Sequence, residues 1–543
     1  LELRALRIRI VDPPRIRDGN RDSGVYTGGF DAVVAYQPLG NEPAQEPSLA
    51  QRLTIAELPS GDEGEGKILR HLAASHPGAL MVDARKRLFF AQSDGIARVD
   101  DLDARTDLLH IAPLIPKAIA GSPRSLQSGP DGLLYVLDGG GRCVRVFDPE
   151  TGALRRTIGE PAKPGFWKPE YLVNPSAMAF DRNGKLWIVD QSFQPKRLSR
   201  WDVNGRCERE FMGGTNYGGG GMMDPGDRTV INHLGMKFRI DYTDGSWKLE
   251  SLLWPINGRA AFAPDHIIRY GGHRFLAGDR SVVVPEFNDK GPNIIICEEV
   301  EGVAHPIVAA GMIANLFAFA PGAAIQKAFG GMDPDRHGYL WTDMNRDHAV
   351  QPEEVSVVPG TAFLHSERVG EDLSINFRGW KLPCQGLRAD GLPLYDVKQL
   401  TPMDAITSET ITSPEHRTFV MGTAMLDEKG AVRWAYQDKW KSVQLSNQTP
   451  FGFTQRPAGV LCGSFSALGM VSIAGENLYC VNGNHGDYFA FSEDGLLAAA
   501  ILGGPAGYGR RYFSSPEAIP GKTDLSGLRT TVEDFRGHIC RAD

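Results

Sequence analysis

The sequence predicts an all-β fold, and three observations support this prediction. The 543 residues include 63 glycines and 36 prolines, a content that suits many tight turns and argues against a helical bundle. Apolar residues with the spacing of an amphipathic helix are scarce. Short apolar runs bounded by Gly, Pro and Asp recur instead about every 50 residues, which is typical of repeated antiparallel sheets.

The repeat is clearest in two stretches, residues 129–159 and 174–213. Each contains an Asp-Gly or Asp-x-x-Gly turn followed by a short apolar run that ends at an Asp, which is Asp138 in the first copy and Asp190 in the second. A loop, a second strand ending in Phe-Asp or Trp-Asp, a turn and a third strand follow. Each copy therefore predicts three or four short antiparallel strands joined by tight turns.

Weaker copies of the pattern occur at residues 77–100 and 475–482, and residues 335–343 mirror residues 181–190. The two clearest copies resemble the NHL type of β-propeller, and the rest of the chain does so in outline. The recurring strands predict a β-propeller of six to eight four-stranded blades, with seven as the best estimate. The resemblance implies little about activity, because propellers with such repeats serve many functions.

The repeats also suggest a domain organisation. Residues 1–58 are predicted to form a small N-terminal β appendage, separated by the Gly- and Glu-rich residues 59–67 from a propeller spanning about residues 65–515. An unpaired edge strand would leave open N–H and C=O groups, so a terminal segment is expected to close the ring. That segment is either residues 516–543 or the stretch just before Lys67.

Oxygen-bearing side chains between residues 343 and 354 follow the spacing of an EF-hand calcium loop. A hard cation needs six or seven oxygen ligands, and alternate residues of a curled loop supply them. The alternative is a solvated acidic turn. The predicted ligands of calcium (Ca2+), at loop positions 1, 3, 5, 7, 9 and 12, are Asp343, Asn345, Asp347, the Ala349 carbonyl, Gln351 and Glu354.

Two features of this loop depart from an ordinary EF-hand. His348 stands at position 6, where the sharp turn usually takes Gly because the backbone favours positive φ. Residues 338–342 are also typical of the end of a strand rather than of a helix. We therefore predict a lone EF-hand-like loop on a β scaffold. Its calcium ion is expected to be structural, since calcium sensing normally needs a mobile helix pair.

Charge and hydropathy exclude some classes of partner. The formal net charge of −8 gives no field for nucleic acid. Six arginines within residues 4–21 alternate with apolar residues, which favours one solvated strand face. Apolar runs such as residues 307–320 are too short and too broken to span a membrane.

The cysteines and the calcium loop bear on the compartment. None of the seven cysteines forms a Cys-x-x-Cys pair; Cys462 and Cys480 lie near one hairpin and are either bridged or small core residues. A weak calcium loop suits the millimolar calcium found outside the cytosol. Leu1 in place of an initiator Met fits removal of a targeting segment, as it fits recombinant design. We expect an exported protein, periplasmic or extracellular, that works within a larger assembly.

A ligand face is predicted from the loops that follow the second strand of each blade. The repeat places Asp138, Asp190, Asp343 and Asn482 at the ends of second strands, so their loops should share one face of the propeller. Aromatic rings near that face could bind a protein partner or a polysaccharide. Alternatively, they fill the gaps between blades. The aromatic residues assigned to this face are Phe166, Trp167, Tyr171, Tyr217, Tyr508 and Tyr512.

An enzymatic role is the alternative to a binding role. Propeller lyases and lactonases hold a metal on the central axis with His or carboxylate side chains, and the candidates here are His485 with Asp487, His233, and His266 beside Asp265. A lone His is more often a hydrogen-bonded surface or core residue. No nucleophile elbow, His-Glu-x-x-His or dinucleotide loop is present. The sequence favours a binding or scaffold module over a metal-assisted lyase, lactonase or hydrolase acting on a carbohydrate-like substrate.

Overall fold

The structure is a computed structural model of the whole chain. It divides into two compact units, unit 1 with residues 1–162 and 168–214, and unit 2 with residues 163–167 and 215–543. The described residues are 52–57, 67–100, 111–192, 195–213, 221–254, 263–278, 294–334, 336–359, 368–377, 379–403, 410–420, 424–436, 438–441, 461–463, 465–483 and 488–501.

Unit 1 begins with a two-stranded hairpin and continues with four-stranded antiparallel sheets in chain order. The hairpin pairs β1 (Arg52–Glu57) with β2 (Lys67–Ala73). The sheets are β3 (Leu80–Val82), β4 (Leu88–Gln92), β5 (Gly95–Val99) and β6 (Pro113–Pro116), followed by helix α1 (Lys117–Ala120); then β7 (Pro123–Ser128), β8 (Leu134–Asp138), β9 (Cys143–Phe147) and β10 (Leu154–Ile158).

Unit 1 ends with a third four-stranded sheet, and two short parallel strands precede it along the chain. The short strand β12 (Gly165–Phe166) intervenes in the chain but belongs to unit 2. The parallel pair is β11 (Glu160–Pro161) with β13 (Tyr171–Leu172), and the sheet is β14 (Pro175–Phe180), β15 (Leu186–Asp190), β16 (Lys196–Trp201) and β17 (Cys207–Gly213).

Unit 2 opens with two larger sheets. In the first, β12 is added at the edge beside β21; the second has six strands and two helices that follow its fourth strand. The strands of the first are β18 (Met222–Asp224), β19 (Asp227–His233), β20 (Met236–Asp241) and β21 (Ser246–Leu252). The second contains β22 (His266–Tyr270), β23 (His273–Gly278), β24 (Ile294–Val300), β25 (Val303–Met312), α2 (Ile313–Phe319), α3 (Ala323–Phe329), β26 (His337–Thr342) and β27 (Val355–Pro359).

The rest of unit 2 returns to four-stranded antiparallel sheets, with one parallel pair between the last two. These elements are β28 (Arg368–Val369), β29 (Ile375–Phe377), β30 (Trp380–Leu382) and β31 (Thr401–Pro402); β32 (Thr410–Thr412), β33 (Thr418–Val420), β34 (Ala424–Leu426) and β35 (Val432–Ala435); the pair β36 (Asp438–Lys441) and β37 (Leu461–Gly463); and β38 (Phe465–Ile473), β39 (Glu476–Gly483), β40 (Tyr488–Ser492) and β41 (Leu497–Ile501).

Within each unit, several successive sheets meet through their first strands. In unit 1, β7 contacts both β3 and β14; in unit 2, β18 contacts β22, and β32 contacts both β28 and β38. Antiparallel sheets that follow one another in this way are arranged as consecutive blades of a propeller are. The predicted all-β class and its four-stranded sheets are therefore confirmed. The number of blades stays a prediction.

The recurring Asp-x-x-Gly motif forms the tight turn between the first two strands of a sheet. In the turn between β14 and β15, Asp181 Oδ1 accepts hydrogen bonds from the backbone N–H groups of Asn183 (2.8 Å) and Lys185 (2.9 Å). Gly184 has φ of 71°, a left-handed conformation that costs Gly little. Thus the Asp satisfies the turn's backbone donors and the Gly supplies its bend.

In two sheets of unit 1, the Asp at the end of the second strand ties that strand to the beginning of its own sheet. Asp138 Oδ1 accepts the backbone N–H of Ser122, just before β7, at 2.9 Å. Asp190 Oδ1 accepts the backbone N–H groups of Val173 and Asn174, just before β14, both at 2.9 Å. These two carboxylates are buried, so the repeated Asp is a structural residue in these sheets.

The hydrophobic core lies between neighbouring sheets. In unit 1, Tyr135 and Val144 of one sheet pack in the same cluster as Ile188 and Trp201 of the next. In unit 2, residues of β22–β27 pack with residues of β28–β30, and β32–β34 pack with β38–β40. Each sheet thus buries its faces against sheets adjacent in sequence, which explains why apolar runs recur with the period of the strands.

One sheet departs from the predicted repeat. The sequence pattern places Asp343 after the second strand of a blade, but β26 is the fifth strand of a six-stranded sheet. The extra strands arise because residues 294–300 and 303–312 form a long antiparallel pair, and their buried apolar residues also support α2 and α3. The loops of Asp138, Asp190 and Asp343 therefore do not occupy equivalent positions in their sheets.

Several predictions concern residues beyond those described. Most of the N-terminal appendage and all of residues 516–543 fall outside them, and β1, the described strand of the appendage, pairs with β2. Ring closure therefore stays a prediction. The side chain of Cys462 is also outside the described set, so both alternatives for that cysteine stand. No helix among the described residues is long and apolar enough to cross a membrane.

Candidate functional site

The predicted calcium loop joins two paired strands of the six-stranded sheet. Strand β26 ends at Thr342, the loop starts at Asp343, and a short 3-10 helix at Pro352–Glu354 leads into β27. Trp341 pairs with Val355 across the two strands. The first and last positions of the loop consequently lie at the same end of this strand pair, where their side chains can face one site.

The backbone of the loop has the bend that the calcium spacing requires. His348, at position 6, has φ of 59°, and Arg346, at position 4, has φ of 64°. Non-glycine residues adopt this left-handed conformation only when their surroundings hold them there. His348 therefore replaces the usual Gly at position 6 but adopts the same left-handed backbone conformation.

Asp343, at position 1, is a fully buried carboxylate at the centre of the loop. Its Oδ1 and Oδ2 accept the backbone N–H groups of Asp347 and His348, both at 3.1 Å. Burial raises the pKa of Asp343 and the nearby charge of Glu354 adds to the rise, against the opposing effect of His348 and the backbone hydrogen bonds. A cation at this point would stabilise both carboxylates in their charged form.

Glu354, at position 12, is held over the start of the loop. Its Oε1 accepts the backbone N–H of Met344 at 2.8 Å and of Asn345 at 3.2 Å, while its Oε2 accepts the indole N–H of Trp341 at 2.9 Å. These three donors fix the carboxylate that a calcium loop uses to close its cage.

The amide side chains at positions 3 and 9 turn toward the carboxylate at position 5. Asn345 Nδ2 and Gln351 Nε2 both donate to Asp347 Oδ2, at 3.1 and 2.7 Å. Gln351 Oε1 is buried and has no hydrogen-bond partner among the described residues. A half-turn of this amide would present its oxygen in place of its nitrogen, which is the change needed to bind a cation.

The residues present fit calcium, provided that amide and backbone oxygens take part. Within the described ranges, no three His, Cys, Asp or Glu side chains are grouped as metal ligands. The three loop carboxylates therefore do not form a cage by themselves. Calcium accepts carbonyl and amide oxygens readily, so Asn345, Gln351 and the Ala349 carbonyl would complete the set.

Two loop residues are tethered to β24 and β25. Arg346 forms an ion pair with Glu298, and His348 Nε2 lies 3.4 Å from Glu298 Oε1. The His348 ring also stacks on His305, with centroids 4.7 Å apart. Sequence reasoning missed Glu298 because it precedes Arg346 by 48 residues and belongs to no motif.

Two of the candidate catalytic positions have structural partners. Asp265 lies near His233, and its carboxylate accepts the backbone N–H groups of Leu234 at 2.6 Å and Gly235 at 2.8 Å. Burial raises the pKa of Asp265, while those hydrogen bonds and the His233 charge act in the opposite direction. His266 is buried with its Nε2 3.2 Å from a carboxylate oxygen of Glu371.

The predicted aromatic ligand face is only partly described. Phe166 is 65% exposed, and Trp167 is half-buried in unit 2, where its backbone N–H donates to the Glu250 carbonyl at 2.8 Å. Tyr171, in unit 1, is 4% exposed, so it is a buried core residue and does not form part of an exposed ligand face. The remaining candidates lie outside the described residues and stay predictions: Tyr217, Tyr508, Tyr512, His485 and Asp487.

Comparisons with known proteins add little. No protein-family model matches the chain, and no curated protein does so either. Among solved structures, virginiamycin B lyase from Staphylococcus aureus is 12% identical with a TM-score of 0.20, covering 66% of this chain and 93% of its own. A gluconolactonase from Xanthomonas campestris is 13% identical with a TM-score of 0.20, covering 42% and 74%. YCF48 bound to a D1 peptide is 15% identical with a TM-score of 0.20, covering 38% and 61%.

These likenesses are too weak to carry an argument about this chain. The class of protein is defined by its own strands: an all-β chain of consecutive antiparallel sheets of β-propeller type. The loop that carries the predicted calcium spacing, residues 343–354, lies between β26 and β27 of this chain.

Proposed function

We propose that this chain is an exported, calcium-binding β-propeller of NHL type that serves as a binding or scaffold module within a larger assembly. Its partner is a protein or a polymer. The proposal is supported by the loop at residues 343–354. In this loop the Asp343 carboxylate is buried, the Glu354 carboxylate is held by a backbone N–H group, and His348 has the left-handed φ of 59°.

Calcium would have a structural role in this module. The loop connects two paired strands, and its Arg346 and His348 contact Glu298 on a third. An ion bound by Asp343, Asp347 and Glu354 would replace hydrogen bonds within the loop and neutralise its carboxylates. At a calcium concentration of one hundred times the dissociation constant, mass action adds about 2.7 kcal/mol to the stability of the folded state.

The replacement Glu354→Gln is expected to abolish stabilisation by calcium. The amide retains oxygen for the backbone N–H groups of Met344 and Asn345 but loses the charge and the bidentate closure that calcium requires. The measurement is thermal unfolding in calcium chloride and in excess chelator. Wild type should melt higher with calcium, whereas the variant should melt at the same temperature in both.

The neighbouring replacement Glu353→Gln is the matched control, since Glu353 is exposed and stands at a position that a calcium loop does not use. It should respond to calcium as wild type does. Equal melting temperatures of wild-type protein with calcium and with chelator would contradict the proposal. If both variants lose the response to calcium, the response depends on the total negative charge of the loop and not on Glu354 as a specific ligand.

A further inference from the structure

A second candidate site lies in unit 2. A cavity of about 470 Å³ is lined by residues of β18–β20, of β22–β24 and of the loop at residues 390–391. This volume falls in the range of cavities that bind small molecules. Its walls are mainly charged, and the charged side chains come from strands that are far apart in sequence.

The charged side chains on the walls are fixed by one another. Arg274 donates from Nε to Asp224 Oδ2 at 2.7 Å and from Nη1 to Glu299 Oε2 at 2.6 Å. Lys237 Nζ donates to Glu299 Oε1 at 2.8 Å on the other side of that carboxylate. The network holds these long side chains in one arrangement before any ligand arrives, which lowers the entropy cost of binding.

Asp224 anchors this network as a buried anion. Burial acts to raise its pKa, but hydrogen bonds from Arg269, Gly226 and Arg274 outweigh burial and hold the pKa below its ordinary value. Arg269 Nε reaches Asp224 Oδ1 at 2.8 Å. Asp224 is therefore a charged member of the cavity wall at neutral pH.

The Nη2 group of Arg274 is buried, and no described residue accepts a hydrogen bond from it. A buried guanidinium N–H without an acceptor is unfavourable, so an acceptor supplied by a ligand or by water would stabilise it. Nη2 has almost no accessible surface, so a ligand in the cavity would reach it only if the Arg274 side chain shifted.

The balance of charge indicates the kind of ligand. Four basic residues, Lys or Arg, line the cavity together with five acidic ones, so neither an anion nor a cation would find a site of opposite sign. A hydroxyl group donates to a carboxylate and accepts from a guanidinium at the same time. A neutral ligand carrying many hydroxyl groups matches alternating donors and acceptors better than an ion does.

The cavity also offers a small apolar surface and a closely packed loop. Val230 and Phe275, both buried, contribute the apolar part, which suits the C–H faces of a sugar ring. Gly391, with φ of 85°, lies so close to His273 that an added Cβ would fall 2.7 Å from the imidazole. The absence of a side chain at Gly391 lets this loop form its part of the lining.

We propose that this cavity binds a neutral saccharide, with Arg274 and Lys237 donating to its hydroxyl groups and the carboxylates of Glu298 and Glu299 accepting from them. The proposal rests on the binding role proposed above and names its ligand class. The site is not the calcium loop, although Glu298 lines the cavity and also contacts Arg346 of that loop.

The test is binding to immobilised neutral oligosaccharides of glucose, galactose, mannose and N-acetylglucosamine, with sulfated and uronic-acid oligosaccharides beside them. Wild-type protein in excess calcium chloride should bind neutral members saturably. Arg274→Lys should weaken that binding at least tenfold, because lysine keeps the charge but loses the planar set of donors. Lys237→Gln, on the same network, provides a second variant should the first fail to fold.

Arg417→Lys is the matched control, since Arg417 also contacts two carboxylates, Glu428 and Glu493, with a similar exposure, and does not line the cavity. Its affinity should stay within twofold of wild type. If a free monosaccharide competes for binding, the ligand is a free sugar. If it does not compete, the ligand is the end of a polymer. Both results support a saccharide site.

Three results would overturn the proposal: no saturable binding by folded wild type, preference for the sulfated or uronic-acid members, or wild-type affinity in the folded variants of Arg274 and Lys237. The thermal response to calcium is recorded on the same protein batch. A failure of the calcium proposal is thereby seen separately from a failure to bind saccharides.

Discussion

Replacing Arg197 by Met is expected to lower the stability of the last sheet of unit 1 by about 3–5 kcal/mol, the usual cost of leaving a buried charge without its partner. The Arg197 side chain is fully buried. It lies 3.3 Å from Asp190 and 2.6 Å from Glu210, and it donates to the Tyr171 carbonyl at 2.6 Å. Met fills much of the same volume but leaves Asp190 buried without its counter-charge.

This loss should depend on pH. Burial raises the pKa of Asp190, while the Arg197 charge and two backbone N–H groups lower it. Without Arg197 the pKa would rise further, so protonation would become the way to relieve the buried charge. An acid whose pKa is raised by folding destabilises the folded state fully at pH values above that raised pKa, and the penalty declines below it until it vanishes below the unfolded-state pKa. The defect of the variant should therefore shrink as the pH falls through the raised pKa of Asp190.

Hydrogen exchange of the β14–β17 amides measures this effect within one sheet of a protein that has two units. Arg206→Met is the control, in the turn between β16 and β17. Arg206 is exposed and lies 3.7 Å from Asp202, so its replacement should change stability by less than about 1 kcal/mol. Similar exchange in the two variants, or a defect of Arg197→Met that does not change with pH, would contradict the assignment.

The replacement Phe419→Ala is expected to cost about 3–5 kcal/mol in unit 2. Phe419 is fully buried, and its ring centroid lies 5.7 Å from Tyr479, 5.5 Å from Phe491 and 5.9 Å from Trp434. These rings join the sheet of β32–β35 to the sheet of β38–β41. Removing the central ring would leave a cavity that its rigid neighbours fill only in part.

Urea unfolding followed by near-ultraviolet circular dichroism reports on these aromatic residues directly. Val432→Ala is the control, because Val432 stands in the same sheet and is 55% exposed. It should alter the midpoint little. If the two variants unfold at the same urea concentration, the aromatic cluster does not contribute as described.

The sequence predicted those parts of the fold that depend on neighbouring residues. Asp181 and Gly184 form a tight turn through contacts within five residues, so their spacing alone predicts the turn. The spacing of the predicted calcium ligands is likewise local, since they all lie within residues 343–354; calcium binding itself stays a prediction. His348 shows the limit of this reasoning, since a positive φ at a non-glycine residue depends on the contacts around it.

The cavity could not be predicted in the same way. Its Asp224, Lys237, Arg274 and Glu299 come from four strands and meet only when two sheets adjoin. A charged residue on a strand is otherwise typical of a solvated face. The six-stranded sheet was missed for a related reason, because residues 294–300 pair with the following strand and add to the sheet without carrying the turn motif.

The carboxylates of Asp138 and Asp190 bear on how such a chain could change its length in evolution. Each accepts hydrogen bonds from the backbone just before the first strand of its own sheet, so the contact that fixes the start of the sheet lies within that sheet. A duplicated segment that includes this Asp would keep the hydrogen bonds that fix the start of its own first strand. It would need to match only the sheets before and after it, so gain or loss of one whole sheet is a smaller step than rebuilding a shared core.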